Sequence, residues 1–100
     1  MTPDELRAIM QWLREQVHLA EPSADGEPVV RFDPPSADEA EAAGLNRAGY
    51  QQLRDAPWWD EMADDIIETP EMCDGDDPPE QVLQYAQDVV SEYIRKRARL

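Results

Sequence analysis

The sequence predicts a mainly α-helical protein: one small domain over residues 1–100, built as a bundle of four to five helices with one short extended segment at residues 29–33. Three observations support this fold class. A chain of 100 residues can bury one modest core. Capping motifs precede several segments in which apolar residues recur at helical spacing. One short run, Val29–Phe32, is rich in β-prone residues.

The first predicted helix begins at Thr2, where Glu5 completes a Thr-x-x-Glu capping box. Its apolar face comprises Leu6, Ile9, Met10, Leu13 and Val17. Residues 19–28 are rich in turn-forming residues and are predicted to form a loop. The β-prone run that follows has no second such run to pair with. We expect it to lie extended on the helices, or to pair as an edge strand with a second chain.

Two short helices are predicted next. Ser36 and Glu39 form a second capping box, and Gly44 can terminate the helix that it opens. A further helix is predicted over residues 46–55. The last helix is predicted to begin after a cap at Asp77 and to run nearly to the C-terminus. Its final turns carry four cations, which complement the helix dipole or pair with acids of the same chain: Arg95, Lys96, Arg97 and Arg99.

The helix predicted over residues 57–68 separates apolar from acidic side chains. Pro57 suits its first turn, and Thr69-Pro70 is expected to end it. At helical spacing, one half of the surface holds Trp58, Trp59, Met62, Ala63, Ile66 and Ile67. The opposite arc holds Asp60, Glu61, Asp64, Asp65 and Glu68.

Negative charge is the most unusual property of the sequence. The chain has 23 acidic and 9 basic residues, a net charge of −14, and residues 55–80 contain no Lys or Arg. Five carboxylates along a helix of about 18 Å give one charge per roughly 3.6 Å. That spacing is close to the ~3.4 Å axial spacing of phosphates on one DNA strand. The pattern favours binding to a basic, nucleic-acid-binding surface. The alternatives are a solvated helix face and adaptation to high salt.

The acids after this helix extend the candidate partner-binding set to Asp74, Asp76 and Asp77. Clustered carboxylates can also hold Ca²⁺ or Mg²⁺. The EF-hand pattern fails here, because Pro78 and Pro79 stand where a ligand and a glycine are needed. We therefore predict no metal and no cofactor.

Two further pairs of residues are candidates for a functional site. Trp58 and Trp59 either provide an anchor for a partner or divide into one core and one boundary residue. Cys73 and His18 are the residue types of a nucleophilic pair. The sequence contains no phosphate-binding loop or nucleophile motif, so no enzymatic activity is predicted.

A cytoplasmic protein is expected. The single cysteine, Cys73, cannot form an intrachain disulfide. The sequence begins with acidic residues instead of a signal peptide, and no apolar run approaches the ~18 residues that span a bilayer. Nucleic acid and anionic membranes would repel so acidic a surface. The expected partner is thus a basic, nucleic-acid-binding protein or ribonucleoprotein complex.

In its length, its acid excess and the segment WWDEMADDIIE at residues 58–68, the chain resembles the anti-CRISPR class of phage and mobile-element proteins. Several members of that class imitate DNA to block an RNA-guided surveillance complex. The resemblance implies an inhibitor that occupies a Lys/Arg-rich groove, with the type I-F surveillance complex as one candidate target. It also implies that a phage-encoded protein would act in the host cell cytoplasm. The alternative is a small helical adaptor that acts through homo-oligomerisation by the apolar stripes of its first and last helices.

Overall fold

The computed structural model describes residues 2–20, 28–73 and 76–98. Within these ranges the chain forms five helices and one two-stranded antiparallel sheet. In chain order the elements are α1 (Pro3–Glu15), β1 (Val17–Ala20), β2 (Val29–Phe32), α2 (Ala37–Ala42), α3 (Arg47–Arg54), α4 (Trp59–Met72) and α5 (Pro79–Arg97). The predicted mainly α-helical fold is confirmed.

The start of α1 is held by the predicted capping box. The Thr2 hydroxyl accepts a hydrogen bond from the Glu5 amide at 3.1 Å, and the Glu5 carboxylate accepts one from the Thr2 amide. The end of the helix was predicted wrongly. Val17 does not complete its apolar face but begins β1, where its side chain is buried.

The extended segment has a partner in the same chain, which corrects the prediction of an unpaired strand. β2 pairs with β1 in the register Val17↔Phe32 and Leu19↔Val30. These four side chains alternate with outward ones such as the opposed His18 and Arg31. The predicted loop at 19–28 is therefore wrong for residues 19–20, while residues 21–27 lie outside the described ranges. An apolar residue at every second position is enough to build this short ladder once helices cover one face.

The two short helices α2 and α3 both begin at side-chain caps, of which only the one at Ser36 was predicted. The Ser36 hydroxyl accepts from the Glu39 amide at 3.3 Å, and the Asn46 side chain accepts from the Gly49 amide at 2.8 Å. Gly44 lies between them with φ of +87°, a conformation that favours glycine. The Tyr50 hydroxyl donates to the Pro35 carbonyl, so α3 is tied to the chain that precedes α2.

Helix α4 begins two residues later than predicted and continues through Pro70, which was expected to end it. Proline has no amide proton for the Ile66 carbonyl, yet one lost bond does not stop a helix whose last turns are packed. The buried Thr69 holds this turn, since its hydroxyl donates to the Asp65 carbonyl at 2.9 Å.

Helix α5 packs against three other elements. Both α1 and α4 pack on it, β1 also contacts it, and β2 packs on α4. Arg14 joins α1 to α5 by donating to the Ser91 hydroxyl at 2.6 Å, and it lies 3.5 Å from Asp88. The predicted cap at Asp77 is not formed, because Pro78 occupies the cap position without a side-chain hydrogen bond.

The core is one cluster drawn from all elements, and its largest fully buried side chains are Tyr50, Ile9, Leu13, Met62, Ile66, Ile94, Val30, Val82 and Val90. None of the helices in the described ranges is both long and apolar enough to cross a membrane.

The proline in α4 leads to a stability prediction. Pro70→Ala restores the hydrogen bond to the Ile66 carbonyl and should raise the free energy of unfolding by about 1–2 kcal/mol, because an interior proline costs up to ~3 kcal/mol. Chemical denaturation monitored by circular dichroism measures this change. Pro79→Ala is the matched control, since proline is tolerated at the first position of α5. Equal effects of the two substitutions would contradict the explanation.

Candidate partner-binding surface

The rotation of α4 about its axis decides which of its acids face solvent. Trp59, Met62, Ile66 and Thr69 are its buried residues, and they lie along one edge of the helix. The opposite edge carries four exposed acids, here called the acidic stripe: Asp60, Asp64, Glu68 and Glu71. Eleven residue steps at 1.5 Å each make the acidic stripe about 17 Å long.

Two of the five acids predicted to form one arc do not belong to the acidic stripe. The half-buried Asp65 carboxylate accepts a hydrogen bond from the Tyr93 hydroxyl, and Glu61 lies 4.0 Å from Arg97. Both thus point toward α5. This divides the predicted arc, and charge on the outer face recurs about every 5–6 Å, which is wider than the ~3.4 Å axial spacing of DNA phosphates.

The two tryptophans have different surroundings. Trp59 is only 6% exposed and lies between the Phe32 ring, at a centroid distance of 5.9 Å, and the Arg54 guanidinium at 5.4 Å. It is a core residue and cannot anchor a partner in this conformation. Trp58 is half-buried at the boundary and stacks on Tyr93, with ring centroids 6.2 Å apart. The interpretation as one core and one boundary tryptophan is confirmed.

Ile67 was assigned to the buried half of α4, and the structure corrects this. Its side chain is 51% exposed. It is adjacent to the acidic stripe, because Asp64 and Glu71 stand three residues before it and four residues after it, the spacings at which helix side chains are neighbours. The outer face of α4 therefore combines carboxylates with an apolar side chain.

Cations of the described chain lie away from the acidic stripe. Arg47 pairs with Asp38 and Glu41, and the hydrogen bond to Glu41 raises its pKa. Arg54 donates to the Pro35 carbonyl at 2.9 Å. Within residues 2–20, 28–73 and 76–98, the ion pairs within 4.0 Å involve none of the four stripe acids.

Tyr93 ties Asp65 of α4 to α5. Burial raises the pKa of its hydroxyl, and the hydrogen bond to Asp65 raises it further, because ionisation would put two negative charges side by side. The Arg97 guanidinium lies 5.6 Å from the centre of the Tyr93 ring. Asp65 therefore stabilises the packing of α4 on α5. The sequence alone does not show this role, because it does not show which α5 residue faces Asp65.

The remaining candidates are dispersed. Asp76 is exposed and Asp77 half-buried, whereas Asp74 lies outside the described residues. His18 is exposed on β1, and Cys73 is half-buried at the C-terminal end of α4. In the part of the chain that the structure describes, no three His, Cys, Asp or Glu residues are placed to hold a metal ion.

No protein-family model, no curated protein and no solved structure matches this chain. The anti-CRISPR resemblance stays a prediction.

The Tyr93–Asp65 contact leads to a prediction about pH. Because the folded state holds the Tyr93 proton more tightly than the unfolded state, its contribution to stability is complete below about pH 10 and is lost as the pH rises further. Tyr93→Phe should lower the free energy of unfolding at pH 7 by about 1–2 kcal/mol. Its stability should then vary less with pH between about 9.5 and 11.5.

Urea denaturation across that pH range measures both effects. Tyr85→Phe is the control, since Tyr85 is exposed. A Tyr93→Phe protein with the wild-type pH profile would show that the Tyr93–Asp65 contact contributes little.

Proposed function

We propose that this protein binds a basic surface of another macromolecule, of the kind that normally holds nucleic acid, and that the acidic stripe makes the contact. The observation that carries the proposal is a row of four exposed carboxylates on a packed helix, with no cation of the described chain within 4.0 Å of any of them. A Lys/Arg-rich groove presents the complementary charge.

The cost of this row to folding supports a role for the charge itself. Asp60–Asp64 and Asp64–Glu68 are like-charged pairs at a spacing of four residues, where opposite charges would stabilise the helix. Each pair costs a few tenths of a kcal/mol, and the net charge of −14 adds further repulsion. A surface under no demand other than solubility would be expected to mix the two signs.

The packing of α4 favours binding because it holds the charges in place. The buried edge of α4 contacts α5 and β2, so the acidic stripe belongs to a rigid element. Charges that are fixed before binding lose less conformational entropy on association than charges on a mobile tail. Association would be driven by complementary fields and would weaken as salt is added.

Inhibition is the form of this function that we favour. A protein that occupies a nucleic-acid groove blocks it, as the resemblance to anti-CRISPR proteins implies, with a surveillance complex as one candidate partner. The stripe spacing of about 5–6 Å favours an inhibitor that occupies the groove by charge complementarity over one that reproduces the phosphate spacing of DNA. The proposed place of action is the cytoplasm in which such complexes work.

The stability cost can be separated from binding by one substitution. Asp64→Lys converts two repulsive pairs into attractive ones and should raise the free energy of unfolding by about 0.5–1 kcal/mol. The same change should weaken capture of the partner. Thermal denaturation measures the change in stability, and an affinity pulldown measures the change in partner capture. A less stable Asp64→Lys protein would contradict the repulsion that we assign to these pairs.

The proposal is tested by an affinity pulldown from host lysate at low and high salt, with the captured proteins read by mass spectrometry. The test variant carries Asp60→Lys, Asp64→Lys and Glu68→Lys. The control carries the same charge change at exposed acids elsewhere: Glu15→Lys, Asp33→Lys and Glu80→Lys. We expect wild type and control to capture a nucleic-acid-binding protein at low salt and less of it at high salt. The test variant should capture at least tenfold less of that protein. Equal capture by all three would refute the proposal.

A further inference from the structure

A second surface of the molecule has the opposite chemistry to the acidic stripe. An open cleft of ≈ 440 Å³ lies between the start of α1 and the end of α5. Its apolar part is formed by Leu6, Met10 and Ile94, together with Pro3 and Ala98. This volume is within the range of pockets that enclose ligands or side chains.

Both helices add a cation to this cleft. Arg7 comes from α1 and Arg95 from α5, and both are exposed. Arg7 lies 3.7 Å from Asp4, a pair on the solvent side that contributes little. In a chain of net charge −14, the cleft is thus an apolar depression lined by two arginines.

The outer face of α4 carries the matching pattern. Ile67 is the exposed apolar side chain, and Asp64 and Glu71 flank it along the helix. A cleft lined by apolar side chains and two arginines is complementary in charge and in polarity to a ridge of one apolar side chain and two acids. The ridge is on the side of α4 opposite its buried edge, so a cleft that meets it belongs to another molecule.

We propose that the protein associates head to tail with itself: Ile67 of one copy enters the α1–α5 cleft of the next, and Asp64 and Glu71 pair with Arg7 and Arg95. The contact joins two different patches, so each bound pair still offers one free cleft and one free ridge. It therefore builds short chains or a closed ring instead of a two-fold dimer. The inference does not depend on the proposed external partner.

The contact is small and joins copies that repel each other overall. Interfaces below about 1,000 Å² are generally weak and transient. We therefore expect reversible association that increases with protein concentration, and the chain to be monomeric when dilute.

The test uses paired charge reversals in the full-length protein. The cleft variant carries Arg7→Glu and Arg95→Glu, and the ridge variant carries Asp64→Arg and Glu71→Arg. Each reversal changes the charge by two, so the net charge moves from −14 to −18 in the first variant and to −10 in the second. Sedimentation velocity over a hundredfold range of concentration gives the weight-average size of each protein alone and of the equimolar mixture.

We expect wild type to grow in size with concentration, each variant alone to stay monomeric, and the mixture to associate again. Both variants remain strongly negative, so recovery in the mixture requires local pairing. The control Arg31→Glu with Lys96→Glu also has a net charge of −18 but leaves the cleft residues intact. Its association constant should fall less than twofold. Circular dichroism confirms that every variant is folded.

An uncharged change tests the apolar part of the contact. Ile67→Ala should weaken association at least fivefold, whereas Val29→Ala, at another exposed apolar residue, should not. A wild-type protein that stays monomeric over the whole concentration range would overturn the proposal, even if another ligand binds in the cleft. So would variants that associate as well as wild type, or a mixture that fails to recover.

Discussion

The burial of one edge of α4 is the constraint on which the surface of this protein depends. Trp59, Met62 and Ile66 pack into the core against α5 and β2, and this fixes the rotation of the helix. Every other position on α4 then has a determined direction. Glu61 and Asp65 point toward α5, while the acidic stripe and Ile67 point to solvent. A rotation of a single residue step, about 100°, would exchange these roles.

Local signals account for the parts of the fold that could be predicted. The caps at Thr2, Ser36 and Asn46 act over three residues, so the helix starts were visible in the sequence. The hairpin was missed because Val17 also fits the spacing of α1, and its pairing with Phe32 is a contact between distant residues. The continuation of α4 past Pro70 likewise depends on burial of Thr69, which local sequence does not encode.

The candidate surface was predicted only as a set of acids. Their location on one helix follows from spacing, but their division into outward and inward groups depends on α5. Tyr93, which faces Asp65, and Arg97, which faces Glu61, lie about 30 residues further along the chain, and nothing in the α4 sequence indicates these contacts. The cations show the same dependence. Arg54 donates to a carbonyl group and Arg14 to the Ser91 hydroxyl and Asp88, so neither of them pairs with the acidic stripe.

The contact between Tyr93 and Asp65 also bears on how the protein can evolve. Asp65 must place its carboxylate at one point beneath the Tyr93 hydroxyl, so a longer glutamate at position 65 would disturb the packing of α4 on α5. Among the described residues none forms an ion pair with Glu68 or Glu71, and aspartate could replace glutamate at both positions. Selection would therefore preserve the exact side chain at position 65, together with its tyrosine. Along the acidic stripe it would preserve only the sign of the charge, and the residues could drift.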